Sequence, residues 1–136
     1  SSTLLFHLNG IKRLRGISIE KGSIFAMDTS IIACYGNGET IETVAVYEAA
    51  SDERNDIVLK NSVFSGIDII LRFADGTERS TVEELQKVRR PYDRRNPHTG
   101  NTEKSMQEIF GIESLSKPEK GPIEPEGSDG SYGFRR

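Results

Sequence analysis

The residue types that most often carry catalysis are few in this chain, which has two histidines and one cysteine among 136 residues. His7 and His98 lie far apart, and no cysteine or histidine follows either of them at the spacing of metal ligands. Cys34 lies in the apolar stretch "SIIACYG", where a thiol behaves as a small buried hydrophobe. No G-x-S-x-G or phosphate-loop pattern is present. The sequence therefore predicts a protein that is not an enzyme and that takes no metal and no cofactor.

A second group of residues could bind nucleic acid. "RRPYDRR" places four arginines around a tyrosine, and a smaller basic group lies near the N-terminus. Arginines with an interleaved aromatic ring can hold a phosphate backbone or stack a base. The alternative is that they follow a helix end, whose dipole favours cations, and pair with acids such as Asp93; the net charge of −3 favours this alternative. The candidate nucleic-acid contacts are Arg13, Arg15, Arg89, Arg90, Tyr92, Arg94 and Arg95.

A compact apolar segment, "SMQEIFGIESL", lies inside a polar C-terminal region. Met106, Ile109 and Phe110 would share one face of a short helix, and fully burying each such side chain is worth about 1.5–3 kcal/mol. The segment is therefore expected to dock, either on its own domain or in a groove of another chain. The terminal "SYGFRR" adds residue types that are enriched at protein interfaces. The candidate partner-binding residues are Met106, Ile109, Phe110, Ile112, Tyr132, Phe134, Arg135 and Arg136.

These residues must be positioned by a β-rich body. Apolar and polar residues alternate in "TLLFHLNG" and in "GIDIILRFADGT", and glycine-containing turns separate such stretches. "IETVAVYEA" would also fit a helix face, but its β-branched residues and the preceding Gly-Asn-Gly favour the second arm of a hairpin. No internal repeat of roughly 20–50 residues stands out. Residues 1–79 are therefore predicted to form a small antiparallel β-barrel or β-sandwich of about six to eight strands.

One helix follows the predicted strands. Ser80 can cap a helix at 80–90, with Glu83 three residues later to complete a capping box and Pro91 to end it. This helix completes a β-rich globular domain over residues 1–90.

The composition changes after Pro91, where proline, glycine and charged residues predominate. Such a segment buries too little apolar area to offset its conformational entropy, which predicts a long extended tail over residues 91–136. Within the tail, Thr102 would cap a short docking helix at 103–110. Gly111 suits the left-handed position that ends a helix.

These features favour a non-enzymatic structural or assembly subunit whose tail clips onto neighbouring protein subunits, in a homo- or hetero-oligomer. A virion protein, such as a capsid cement, tail or connector protein, fits this organisation. The alternatives are a small β-barrel that binds single-stranded nucleic acid, and an adaptor or inhibitor that docks its tail helix on a host protein. No apolar run of about 18 residues and no signal-peptide pattern is present. The chain is thus expected to avoid membranes, to be cytoplasmic at synthesis and, in the virion interpretation, to end in the virion.

Overall fold

The computed structural model of the protein describes residues 1–36, 42–90 and 92–111. These ranges contain ten strands and two short helices, so the prediction of a mainly β protein is confirmed. The strands are β1 (Thr3–His7), β2 (Arg13–Ile19), β3 (Ile24–Asp28), β4 (Ile31–Tyr35), β5 (Glu42–Glu48), β6 (Asp56–Lys60), β7 (Val63–Ser65), β8 (Ile69–Arg72), β9 (Glu78–Arg79) and β10 (Thr102–Glu103). The helices are α1 (Val82–Leu85) and α2 (Met106–Phe110).

The strands return to the same sheets in the same order along the chain. Sheet 1 has the order β1-β4-β7-β10, sheet 2 the order β2-β5-β8-β9, and sheet 3 consists of β3 and β6. Each of the first two turns of the chain thus adds one strand to each sheet, as in a parallel β-helix. The first turn comprises β1, β2 and β3, the second β4, β5 and β6, and the third begins with β7 and β8.

The strand direction differs from the expected antiparallel barrel or sandwich. Six of the seven strand pairs in the described ranges are parallel, the exception is β8 with β9, and no barrel closes. The predicted hairpin arm at β5 is a strand, but it pairs in parallel with β2 and β8. The physical reason is that apolar alternation with a period of two is a property of each strand and carries no information about its neighbour's direction.

A structural repeat also exists that the sequence pattern did not reveal. Thr3 pairs with Ile31 and Ile31 with Val63, so successive turns advance by 28 and 32 residues in sheet 1. Val63 then pairs with Thr102, an advance of 39 residues. Because the turns differ in length, no fixed sequence period accompanies the repeat.

The corners before β4, β7 and β10 of sheet 1 repeat one backbone conformation. Thr29 and Asn61 have φ values of 53° and 51°, and Gly100 occupies the equivalent place with φ 75°. Left-handed backbone is favourable for glycine, tolerated by asparagine and costly for a β-branched residue such as threonine. The short sequences at these corners are "DTS" at 28–30, "KNS" at 60–62 and "TGN" at 99–101.

The residue after each left-handed position joins a ladder of hydrogen bonds across the turns, which we call the corner ladder. The backbone N–H of Ser2 donates to Oγ of Ser30 over 3.1 Å, and that of Ser30 donates to Oγ of Ser62 over 3.1 Å. The N–H of Ser62 then donates to Oδ1 of Asn101 over 3.0 Å. The ladder satisfies backbone donors at a buried corner, where an unpaired donor would cost about 1–3 kcal/mol.

Apolar side chains from all three sheets form one buried cluster. Leu59 of sheet 3, Phe64 of sheet 1 and Leu71 of sheet 2 are each at most 2% exposed, and Leu85 of α1 is fully buried with them. The core is therefore shared between turns, and each turn depends on its neighbours for burial.

Both predicted helices are present but shorter than expected and differently capped. Helix α1 has Thr81 as its N-cap, whose Oγ1 accepts from the N–H of Glu84, one residue after the predicted Ser80 and Glu83 pair. It covers four residues of the predicted range 80–90.

Helix α2 has Ser105 as its N-cap and a capping box with Glu108, whereas the predicted cap, Thr102, lies in β10. The helix therefore occupies only the second part of the predicted range 103–110. Gly111 ends it with φ 70°, which confirms the predicted left-handed position.

The expected extended tail is corrected for residues 92–111, because this segment belongs to the folded body. Strand β10 pairs with β7, and His98, Asn101 and Met106 are at most 7% exposed. The composition gave a wrong prediction for this segment because buried polar groups and one strand hold it, and not a large apolar area. Residues 112–136 lie outside the described residues.

Candidate assembly surface at the open first turn

Among the residues with catalytic potential, His7 and Cys34 lie on the paired strands β1 and β4, and His98 lies elsewhere. Cys34 is buried in β4, and burial, with the nearby charge of Asp68, raises the pKa of its thiol to about 12. His7 lies on exposed β1 and stacks on Tyr35 at 5.0 Å. His98 is buried at the other end of the body. A thiol with so high a pKa is not a nucleophile at neutral pH.

The acidic, histidine and cysteine side chains and the helices in the described part of the chain bear on metal binding and on membrane crossing. No group of three or more His, Cys, Asp or Glu residues is placed there to hold a metal ion. No helix in the same ranges has the length and apolar character needed to cross a bilayer.

The two groups of candidate nucleic-acid contacts lie on different sheets. Arg13 and Arg15 belong to β2 at the edge of sheet 2, where Arg13 pairs in register with Glu42. The guanidinium of Arg15 lies 4.6 Å from the centre of the Tyr47 ring.

The second group forms a loop beside sheet 3. Arg90 bonds Asp56 at the start of β6 over 3.2 Å, and its guanidinium lies 5.7 Å from the centre of the Tyr92 ring. Asp93 bonds Arg95 over 3.0 Å, and the Arg95 backbone and side chain lower the pKa of this carboxyl. Arg89 donates to the carbonyl groups of Gln86 and Val88 just after α1. Arg94 adopts φ 61° in the same turn. Several of these arginines thus have protein partners, while nucleic-acid binding stays a prediction.

The structure describes three of the eight candidate partner-binding residues. Met106 is 3% exposed and packs within its own chain, while Ile109 and Phe110 are half-buried. Ile112, Tyr132, Phe134, Arg135 and Arg136 lie outside the described residues. A groove of about 240 Å³ beside α2 has Phe64, Ile70, Glu103 and Glu108 among its lining residues. Within the described part of the apolar segment, Met106 is therefore the side chain that is buried on its own domain.

Each sheet is closed at the end of the third turn. In sheet 1, β10 covers β7, and in sheet 2, β9 covers β8. Arg72 of β8 stabilises this corner, because its guanidinium bonds Glu42 of β5 and donates from Nε to Glu78 of β9 over 2.9 Å. Both covering strands have two residues, and short edge strands offer little backbone for further pairing.

Sheet 3 is closed by side chains instead of a strand. The N–H of Leu59 donates to Nδ1 of His98 over 3.2 Å, and the carbonyl of Leu59 accepts from Nδ2 of Asn101 over 2.9 Å. The N–H of Asn61 donates to the carbonyl of Thr99 over 2.8 Å. Burial, together with the positive charge of Arg90, lowers the pKa of His98 to about 4, so its ring is neutral at pH 7 and can accept at Nδ1.

The first turn, in contrast, is open. β1 and β2 are edge strands of their sheets, and β3 has β6 on one side only, so no described strand pairs with their outer sides. Three of the four exposed large hydrophobic side chains in the described ranges lie on this turn: Leu4 and Leu5, each 37% exposed, and Ile24, 80% exposed. The unpaired backbone of three adjacent edges, with apolar side chains beside it, is a template for strand addition.

The charged residues on the open turn are distributed according to the direction of its strands. Arg13 and Arg15 lie in the first half of β2, and Glu20 directly follows its end. Lys21 precedes β3, and Asp28 ends it. Each of these two strands is therefore basic at its start and acidic at its end.

Comparisons with known proteins give no relative for this chain: no family model, no curated protein and no solved structure matches it. The open turn must therefore be interpreted from its own geometry.

Sequence reasoning did not identify the open turn as a site. The three equivalent corners are Thr29-Ser30, Asn61-Ser62 and Gly100-Asn101, and their left-handed backbone is what identifies them as equivalent. A short polar residue at these unequal spacings does not by itself predict a repeat, so the difference between the ends of the body follows only from the strand pairing.

Proposed function

We propose that this chain is a non-enzymatic structural subunit that assembles through its open first turn. The observation that carries the proposal is the difference between the two ends of the body. The outer edges of β7 and β8 are covered by strands and that of β6 by His98 and Asn101, whereas β1, β2 and β3 present three edges together.

Strand addition supplies the physical driving force. A partner strand would satisfy backbone donors and acceptors of the edge, and side chains such as Leu5 and Ile24 would lose water contact at the same time. The closed end shows how the last long strands of the three sheets are covered in this protein. A role in a virion remains a prediction within this proposal, as does clipping by residues 112–136.

The proposal is tested by sedimentation velocity of the full chain over a wide concentration range. Ile24→Lys places a charge on the open turn at a position that is 80% exposed, so folding should be unaffected while strand addition is blocked. The matched control is Glu83→Lys, an exposed position of α1 at the closed end. We expect the wild type and the control to associate and Ile24→Lys to stay monomeric. A monomeric wild type, or association that Ile24→Lys leaves unchanged, would overturn the proposal.

A second candidate is single-strand nucleic-acid binding, which the stacking of Arg15 on Tyr47 favours. If it operates, the affinity for a labelled oligonucleotide should fall steeply with salt, and Arg15→Gln should reduce both the affinity and the salt slope. Absence of binding at low salt would eliminate this candidate.

A further inference from the structure

We infer that the partner of the open first turn is the same turn of a second copy, related by a two-fold axis that pairs β2 with its own counterpart and β1 with β3 of the second copy. This inference rests on the proposed function and specifies its partner.

The closed end makes a head-to-tail arrangement unfavourable. In such an arrangement the first turn would have to pair with β9, β10 and the region of His98, and these elements already cover the last strands of the three sheets. Between two copies, pairing open end with open end covers three edges at once. It gives a closed, isologous dimer, the commonest symmetry of soluble oligomers.

Two-fold symmetry restricts which strands can meet. The strands follow one another around the turn in the order β1, β2, β3. A two-fold axis perpendicular to the solenoid reverses both this order and the strand directions in the second copy. One strand must then pair with the same strand of the second copy. Each of the other two strands must pair with the copy of the other one, and every such pair is antiparallel. Three pairings satisfy this condition.

The pairing of β2 with itself fits the strand lengths. β1 and β3 each have five residues and match one another over their full length, while the seven residues of β2 match their own counterpart. In that match, Leu4 lies opposite Met27 and Leu5 lies opposite Ala26 of the second copy, while Ile24 lies opposite His7.

The charges of β2 are complementary when this strand pairs antiparallel with β2 of the second copy. If the axis passes between Gly16 and Ile17, Arg13 lies opposite Glu20 of the second copy, and Arg15 lies opposite Ser18. Opposite charges at facing positions of antiparallel strands are stabilising. Symmetry makes the Arg13–Glu20 pair occur twice.

The other two pairings fit less well. Pairing β3 with itself would place the charged β2 against β1, which lacks complementary acidic residues. Pairing β1 with itself would place β2 against β3 and bring Arg13 towards Asp28, but two residues of β2 would extend beyond β3. Asp28 also accepts two hydrogen bonds within its own chain, from Asn61 and Thr29. Glu20 accepts one, from Ser18.

Cysteine cross-linking distinguishes the three pairings. Leu5→Cys and Ala26→Cys mark the centres of β1 and β3, and both positions are exposed. Each variant is oxidised alone and after mixing, with one chain isotopically labelled so that mass spectrometry identifies mixed dimers. The wild type, which contains only the buried Cys34, is the control. We expect a disulfide only in the mixture. A disulfide with Leu5→Cys alone, or with Ala26→Cys alone, would overturn the inferred pairing.

Exchanging the charges of Arg13 and Glu20 tests the pairing of β2 with itself, independently of the cross-links. Arg13→Glu is expected to raise the dimer dissociation constant about tenfold, since two facing pairs are lost, and adding Glu20→Arg should restore it. Lys60→Glu, an exposed change on the second turn, is the control. Failure of the double exchange to restore dimerisation would contradict the β2 self-pairing.

The outcomes separate this inference from the proposed function. If the chain associates and Ile24→Lys abolishes association, but the cross-links show another pairing, only the inference falls. If the full chain never associates, both fall.

Discussion

Nδ1 of His98 accepts a hydrogen bond from the backbone N–H of Leu59 over 3.2 Å, although 39 residues separate them in the chain. This bond substitutes for a strand at the end of sheet 3, and only the neutral imidazole can make it, because a protonated ring has no acceptor nitrogen. We therefore expect this end of the body to be sensitive to pH.

The first prediction is that the protein loses stability between about pH 6.5 and pH 4. Burial lowers the folded-state pKa of His98 to about 4 from an ordinary 6.5, so in this range the unfolded chain binds more protons. The contribution is fully present above pH 6.5 and is lost as pH falls towards 4. The shift corresponds to about 3 kcal/mol at 1.36 kcal/mol per pKa unit. Urea unfolding at several pH values measures it.

The control for this prediction is a variant of His98 itself. His98→Gln keeps an acceptor for Leu59 but does not titrate, so the slope of unfolding free energy against pH between 4 and 6.5 should become smaller. If the slope survives in His98→Gln, another group is responsible.

The second prediction concerns the corner ladder. Oγ of Ser62 accepts from the N–H of Ser30 and donates to the carbonyl of Lys60 over 2.8 Å, and the residue is fully buried. Ser62→Ala leaves the donor and the acceptor unpaired and should lower the free energy of unfolding by about 1–3 kcal/mol. Ser51→Ala, in an exposed loop, should change it by less than about 0.5 kcal/mol. Equal effects of the two changes in chemical denaturation would contradict a structural role for the ladder.

The third prediction is a stabilising change at the first corner. Thr29 adopts φ 53°, which is unfavourable for a β-branched residue, whereas the equivalent residue of the next turn is Asn61. Thr29→Asn should raise the free energy of unfolding by about 0.5–1 kcal/mol, because asparagine tolerates this conformation. Thermal unfolding measures the change. Thr3→Asn, in regular strand β1, should not stabilise, and a lower melting temperature for Thr29→Asn would show that the threonine is not strained.

Local features of the fold followed from the sequence more reliably than its long-range arrangement. The alternation around Ile69 and Leu71 predicted a strand, and Gly111 predicted a helix end, because both depend on a few neighbouring residues. The parallel pairing of Val44 with Ile69 depends on how the connecting segments run, and neither residue type encodes that.

The candidate site was harder to predict for the same reason. Leu5 and Ile24 look like ordinary strand residues in the sequence, and their exposure results from which strands lie at an edge. His98 and Asn101 lie in a polar segment, but their buried hydrogen bonds to Leu59 fix that segment on the body. Composition measures apolar content and does not reveal such specific polar contacts.

The final prediction separates the part of the C-terminal region that completes the fold from any part that binds a neighbour. A chain ending at Gly100 lacks β10, Asn101 of the corner ladder and the buried Met106, so it should lose cooperative unfolding or be strongly destabilised. A chain ending at Gly111 keeps all three and should unfold with nearly the stability of the full chain. Circular dichroism during thermal unfolding makes this comparison.

Sedimentation velocity of the full chain and of the chain ending at Gly111 then tests whether the C-terminal tail binds a neighbouring subunit. If association needs only the open first turn, the chain ending at Gly111 should assemble like the full chain and remain sensitive to Ile24→Lys. If instead it folds normally but no longer associates, residues 112–136 with Tyr132 and Phe134 clip onto the neighbour. That result would transfer the assembly role from the first turn to the C-terminal segment.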